Sequence, residues 1–180
     1  KIFHTVEGGA LFIKNKKIAE RTKLMRSFGQ ENSETFKIVG INAKNSEFHA
    51  AMGLCNLKYV DKILQRRKEQ FQIYDFLLKN AKIEKQLIKD NTDYNYSYYP
   101  ILFESENILL KVKKNLEKNN IFPRRYFYPA LNTLLYLKNK QRMPVAEDIS
   151  KRILCLPIYH TMNKLDQETI AKIIINYEKI

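Results

Sequence analysis

Residues 1–15 read KIFHTVEGGALFIKN. Apolar Ile2 and Phe3 stand at the very start, and a Glu7-Gly8-Gly9 turn follows. Ala10–Ile13 predicts a short strand leaving that turn. Lys16–Phe28 predicts a helix, with Ile18, Ala19, Thr22, Met25 and Arg26 at helical spacing and Gly29 as its stop. The stretch reads as the middle of a polypeptide. It has no initiator Met and no secretory signal of basic start, apolar middle and small-residue cleavage site.

Beyond this opening, Gln30–Lys37 is polar and predicts a loop. IVGINAKNSEFHAAMGL (38–54) turns from loop to helix near Asn45 or Ser46, with Glu47 placed in the first turn where its charge suits the positive helix end. Phe48, Ala51, Met52 and Cys55 form an apolar stripe. Leu57, Val60, Ile63 and Leu64, then Phe71, Tyr74, Leu77 and Leu78, continue it, opposite Asp61, Arg66, Arg67 and Glu69. One long amphipathic helix from Ser46 to Lys79, straight or bent, is the expectation.

After Ala81 the texture changes. YNYSYYPILF (94–103) has the density of a strand, with Pro100 marking an edge or bend. Ile108–Leu116 predicts a short helix. IFPRRYFYP (121–129) predicts a second strand with Arg124, Tyr126 and Tyr128 on one face. Ala146–Ile153 predicts a helix, LCLPIY (154–159) a third strand and Asp166–Tyr177 a closing helix. Alternating strands and helices make the second half a small α/β domain.

The chain of 180 residues is 44% hydrophobic and 12% aromatic, enough for a sizeable core. No apolar run reaches the ~18 residues a membrane helix needs. The net charge of +13 favours phosphate-bearing partners, although much of it reflects a chain rich in Lys, Asn and Ile. Lysines 14, 16 and 17, and 111, 113 and 114, are expected on solvated helix faces. Cys55 and Cys155 sit among apolar neighbours without metal-type spacing, so both are expected buried and reduced. His4, His49 and His160 lie far apart without ligand spacing. There is no zinc pattern, phosphate-binding glycine loop or serine triad, and no metal is expected.

Four segments together carry a resemblance. KIFHTVEGGALFI (1–13) resembles the stretch that follows the cofactor lysine of the DegT-type (DegT/DnrJ/StrS) sugar aminotransferases. GINAKNSEFHAAMGLCNL (40–57) is similar to that family's loop and helix start, most of all in members that aminate C4 of dTDP-4-keto-6-deoxyhexoses. FPRRYFYPAL (122–131) and ISKRILCLPIYHTM (149–162) resemble its C-terminal motifs. The four stand in the family's order over nearly the whole chain.

The resemblance implies an aspartate aminotransferase-like (type I pyridoxal-phosphate) α/β fold. Residues 1–45 would be the end of the large cofactor-binding domain, 46–80 a long connecting helix and 81–180 a small C-terminal α/β domain. It implies pyridoxal 5'-phosphate as cofactor, held covalently by Lys1, with Asn42 reaching the cofactor phosphate of a neighbouring subunit. Lys44 stands where many members carry Arg, and a lysine still offers a phosphate a charge but not a planar fork. Tyr128, or Arg124 and Arg125, would meet a nucleotide-linked sugar, since guanidinium pairs well with diphosphate; core packing is the alternative for the tyrosine-rich strand. Asn132 occupies a place where members often carry His.

A lysine amine titrates near ~10.4 and is protonated at neutrality, so this role requires an environment that frees its lone pair. The implied protein is a cytoplasmic homodimer with shared active sites and glutamate as amino donor, making amino sugars for surface glycans, without nucleic-acid or membrane partners. The large domain preceding the lysine would supply the rest of the site, so these 180 residues alone are expected to be inactive. Two other functions compete. A sugar dehydratase of the same family would have lost the lysine that Lys1 retains. A basic nucleic-acid-binding module would interleave aromatic and basic residues, of which RRYFY (124–128) is a weak version.

Overall fold

The computed structural model describes residues 2–138 and 140–177. They form two compact units, Lys1–Asp61 and Lys62–Ile180.

In the first unit, Asn15 caps helix α1 (Lys16–Met25) by accepting from the Ile18 amide at 3.2 Å. The predicted helix ran three residues further. Ser27 instead forms a bridge with Asn42, and Gly29 adopts φ +75°, outside the helical region. Ala10–Ile13, predicted as a strand, has no strand assignment, because no second strand pairs with it among the described residues. Gln30 to Lys37 is a loop, closed by a bridge between Gln30 and Phe36. Ser46 caps helix α2 (Glu47–Leu57) by accepting from the His49 amide, with Glu47 in the first turn as expected.

The single long helix predicted from Ser46 is two. α2 ends at Leu57, and α3 (Val60–Leu77) begins after a two-residue turn. The break coincides with a rotation of the stripe. At ~100° per residue, Phe48, Ala51, Met52 and Cys55 share one direction, whereas Val60, Ile63, Tyr74 and Leu78 share another about a third of a turn away. The second reaches the core through Tyr74 and Leu78, whereas the first stays exposed, Phe48 at 87% and Met52 at 39%. Cys55 is correspondingly exposed, against the expectation; Cys155 is buried, and both thiols are free. Burial pushes the Cys155 thiol up to about 11, so it stays neutral at physiological pH.

The second unit holds a three-stranded antiparallel sheet in the order β1 (Glu84–Lys85), β2 (Tyr99–Leu102), β3 (Ile153–Leu156). Tyr99 pairs with Leu156 and Leu102 with Ile153. The two-residue β1 pairs only with Ile101 and Leu102, so Pro100 lies where that neighbour has already ended. Alternation places Tyr99, Ile101 and Phe103 on the inner face. Helix α4 (Glu106–Lys118) adds Leu109, Val112 and Leu116 at spacings of three and four. α5 (Pro144–Arg152) starts on a proline at its first position, and α6 (Lys164–Ile175) adds Ile170, Ala171 and Ile174. Burying a side chain such as Phe103 or Leu116 stabilises by about 1.5–3 kcal/mol relative to exposure.

Three polar side chains of α3 also go inside. Arg67 donates to the carbonyls of Tyr96, Ser97 and Ile158 at 2.8, 2.6 and 2.9 Å, and burial lowers its pKa. Gln70 donates to the Met162 carbonyl at 3.0 Å, and Gln167 donates to the Gln70 carbonyl at 2.8 Å. The Tyr74 hydroxyl donates to the Pro157 carbonyl at 2.9 Å.

The strand predicted over 121–129 does not form. Arg124 alone bridges to Cys155, and the chain then turns, with the Tyr126 amide donating to the Arg124 carbonyl and the Tyr128 amide to the Arg125 carbonyl. Prolines 123 and 129 have no N–H for a ladder. No helix among the described residues is long and apolar enough to cross a membrane.

Candidate active site

Lys1, the predicted cofactor lysine, lies outside the described residues. The segment after it is well fixed. The Gly8 amide donates to the Thr5 carbonyl at 3.0 Å, and the Asn56 side chain donates to the His4 carbonyl at 2.7 Å, tying the segment to α2. A Cβ on Gly8 would stand 2.3 Å from Thr5 Oγ1, and one on Gly53 would stand 2.7 Å from Thr5 Cγ2. Both glycines therefore serve close approach to Thr5. Gly9 has open space around it, and the positive φ of the turn belongs to Val6 at 58°. Of the glycine pair expected to form the tight turn, Gly8 alone is closely approached, by the side chains of Thr5 and Asn45.

Asn42 and Lys44 are positioned by a backbone crossing. The Phe28 amide donates to the Ile41 carbonyl, the Ile41 amide to Met25 and the Ala43 amide to Arg26. A Cβ on Gly29 would lie 1.6 Å from the Ile38 carbonyl oxygen, and one on Gly40 would lie 2.1 Å from the Gly29 nitrogen. Only glycines allow the two strands of chain to cross this closely. Lys44 Nζ donates to Asn42 Oδ1 at 2.7 Å and rests 4.2 Å from the centroid of the Phe28 ring. Asn42 thus spends its amide oxygen on Lys44 and keeps its NH2 donors.

Both side chains line a cavity of about 1110 Å³ that also receives Lys16, Lys23 and Arg26. Four basic side chains there face two acidic ones, Glu7 and Glu20, so the lining favours an anion. An amide NH2, an ammonium and neighbouring cations are the donor set of a phosphate monoester, so these residues fit the phosphate of pyridoxal phosphate. Lys16, Lys23 and Arg26 were missed as candidates, although their spacing of seven and three residues puts them on one side of α1 and its C-cap.

The predicted substrate residues of the second unit separate into different roles. Arg124 is exposed, with its guanidinium donating to the Tyr126 hydroxyl and lying 5.3 Å from that ring's centroid. Arg125 is engaged: its Nη2 donates to Glu106 at 2.6 Å and to the Lys151 carbonyl at 3.0 Å. Its guanidinium lies 3.7 Å from the centroid of the Tyr128 ring, which is 47% exposed. Tyr126 stacks on Phe127 at 4.7 Å and meets Tyr98 edge-on at 5.4 Å. Arg124, Tyr126 and Tyr128 do not share a strand face, since no strand forms there. Asn132 donates to Glu147 at 2.7 Å and to the Gln141 carbonyl at 2.9 Å, anchoring its loop to the start of α5. No group of three or more metal-ligating side chains exists among the described residues.

Comparison with known proteins gives the family and the fold. The model of the DegT/DnrJ/EryC1/StrS aminotransferase family matches residues 1–175. A dTDP-4-amino-4,6-dideoxy-D-glucose transaminase of Escherichia coli is 34% identical over 175 residues, covering 93% of this chain and 46% of that protein. The enzyme of the same name from Shigella dysenteriae is 34% identical over 165 residues, covering 88% and 45%. The chain thus spans about half the length of the curated relatives it matches. Among solved structures, the aminotransferase TlmJ of Streptoalloteichus hindustanus superposes with a TM-score of 0.90 at 20% identity, covering 99% of this chain and 50% of that one. Helicobacter pylori PseC, an aminotransferase involved in the biosynthesis of pseudoaminic acid, gives 0.79 at 26% identity, covering 92% and 47%. The fold is therefore the aspartate aminotransferase-like α/β fold expected from the sequence, of which this chain spans about half. With the family model running from the entry segment to α6, the chain belongs to the DegT/DnrJ/EryC1/StrS aminotransferase family.

Proposed function

We propose that the intact protein is a pyridoxal-phosphate-dependent aminotransferase. It moves an amino group from an amino acid, glutamate by preference, to the C4 keto group of a dTDP-linked 6-deoxyhexose. The two relatives at 34% identity, both named for a dTDP-4-amino-4,6-dideoxy sugar, support that substrate class. The observation that carries the cofactor is the Asn42–Lys44 donor pair on the cation-rich cavity.

Pyridoxal phosphate, when bound, supplies an electron sink for the carbon that loses its proton. Lys1 is the residue that holds the cofactor covalently, and its Nζ, once free and neutral, takes the proton from the donor's α-carbon. Asn42 donates through its NH2, and Lys44 adds charge, to the phosphate oxygens; in a homodimer with shared sites this pair serves the neighbouring subunit. The segment 2–8, which follows that lysine, is fixed on α2 through Asn56 and Gly53. Arg124 and Tyr128 meet the nucleotide sugar, whose diphosphate suits an exposed guanidinium. A cytoplasmic location, where nucleotide sugars are made, and the supply of amino sugars to surface glycans such as lipopolysaccharide complete the reading.

The test uses the intact protein. Borohydride reduction and peptide mapping are expected to place the cofactor on Lys1. Incubation with glutamate and a dTDP-4-keto-6-deoxyhexose is expected to yield the amino sugar by mass spectrometry, with Lys1→Ala lowering turnover at least about 10³-fold. Cofactor on another residue, or full turnover by Lys1→Ala, defeats the proposal.

A further inference from the structure

Two consecutive arginines are held in opposite ways. The backbone of Arg124 is fixed by two hydrogen bonds to Cys155, at 3.1 and 2.8 Å, while its side chain is exposed. Arg125 has a side chain only 15% exposed, with its charge 2.6 Å from Glu106 and a further bond to the Lys151 carbonyl. Its Nε–H is buried and has no acceptor among the described residues. A guanidinium already neutralised by a carboxylate and turned into the protein has little charge left for a diphosphate. It does cover one face of Tyr128, at 3.7 Å from the ring centroid, in cation–π geometry.

We propose that Arg125 is a positioning residue: Glu106 and the Lys151 carbonyl hold its guanidinium, the guanidinium holds the Tyr128 ring, and Arg124 alone of the pair meets the substrate's diphosphate. The Arg124 part rests on the nucleotide-sugar reading above; the Arg125 part stands on the contacts within this unit. Glu106 becomes a second positioning residue, one that never touches substrate. It acts through a chain of two contacts, from carboxylate to guanidinium to ring.

The experiment uses the intact protein, with dTDP as probe in titration calorimetry at two salt concentrations. Arg124→Ala is expected to weaken dTDP binding about tenfold and to flatten its salt dependence, as loss of a phosphate contact does. Arg125→Ala and Glu106→Gln are expected to weaken binding by about threefold each, with the salt dependence kept, and the double variant no further than either single one, because both act on one ring. Tyrosine labelled with ¹³C gives a readout without ligand: the Tyr128 ring signals are expected to shift in Glu106→Gln while those of the core tyrosines Tyr74 and Tyr99 and the melting temperature stay put. A flattened salt dependence in Arg125→Ala together with a silent Glu106→Gln overturns the assignment, as does an unmoved Tyr128 signal. If the wild-type protein does not bind dTDP, the nucleotide reading and the Arg124 part fail together, and the Tyr128 signals still decide the role of Arg125.

Discussion

The described residues of the second unit and those of the first keep their shapes by different means. Every buried apolar side chain among the described residues, from Tyr74 to Ile174, belongs to the second unit. Among its described residues the first unit buries only Gly29 and Gly53, and it leaves Phe12 97%, Val39 92% and Phe48 87% exposed. The second unit is organised by burial, with a sheet, helices α4 and α6 and the inner face of α3 sharing one core. The first is organised by backbone: caps at Asn15 and Ser46, a glycine crossing, and a segment laid on a helix where a Cβ would not fit. Apolar packing tolerates changes of side chain better than it tolerates loss of volume, whereas a backbone crossing tolerates volume loss and fails on a single added carbon.

The largest expected effect is in the second unit. Phe103→Ala should cost about 3–5 kcal/mol in urea unfolding of the 180-residue chain, since it empties a fully buried site. Phe12→Ala in the same chain should stay within about 0.5 kcal/mol. Comparable losses at the two positions would mean that the first unit has a core after all, and the contrast would break.

Gly40→Ala tests the opposite rule. The new Cβ would meet the Gly29 nitrogen and the Phe28 carbonyl carbon, both backbone, so the crossing must open at a cost of about 1–3 kcal/mol. Native-state hydrogen exchange should show the Ile41 and Ala43 amides losing protection while those of Ile101 and Leu154 keep theirs. Loss of protection in both places would join what is here described as two units.

The smallest effect sharpens the picture within the second unit. Glu147 accepts from the Met143 amide at 2.8 Å and from Asn132, and these bonds hold its carboxyl below the ordinary range. A folded-state value below the unfolded one stabilises fully above the unfolded pKa of about 4.3, and that contribution is lost as pH falls through the lowered folded value. Acid titration followed by NMR should show the Met143 amide exchanging faster below that point. Glu147→Gln should remove this acid sensitivity of the Met143 amide.

Much of the second unit was legible because burial writes itself into spacing. Leu109, Val112 and Leu116, or Tyr99, Ile101 and Phe103, could be assigned to faces from position alone. Strand 121–129 failed because its aromatic density suggested a ladder that prolines 123 and 129 and the turn after Arg124 do not allow. The break before Val60 was present in the sequence as a rotation of the stripe, yet it is invisible to any reading that counts apolar residues without their angle. At the candidate site, Asn42 and Lys44 became candidates through family resemblance, and their mutual bond is a fact of the crossing at Gly29 and Gly40. The division of labour between Arg124 and Arg125 could not be read at all. It depends on Glu106, nineteen positions away.

The polar contacts of α3 set a timetable for synthesis. Gln70 receives a hydrogen bond from Gln167, 97 positions later, and Arg67 reaches the Ile158 carbonyl, 91 positions later. At about 5–20 residues per second, Gln70 waits roughly 5–20 s on the ribosome before its partner exists. During that interval Arg67 and Gln70 remain hydrated on an open helix face, and a stripe that also carries charge and amide is less prone to stick to other nascent chains than a purely apolar one. The polar bonds that tie α3 to the segment 158–167 are therefore among the last that synthesis can complete.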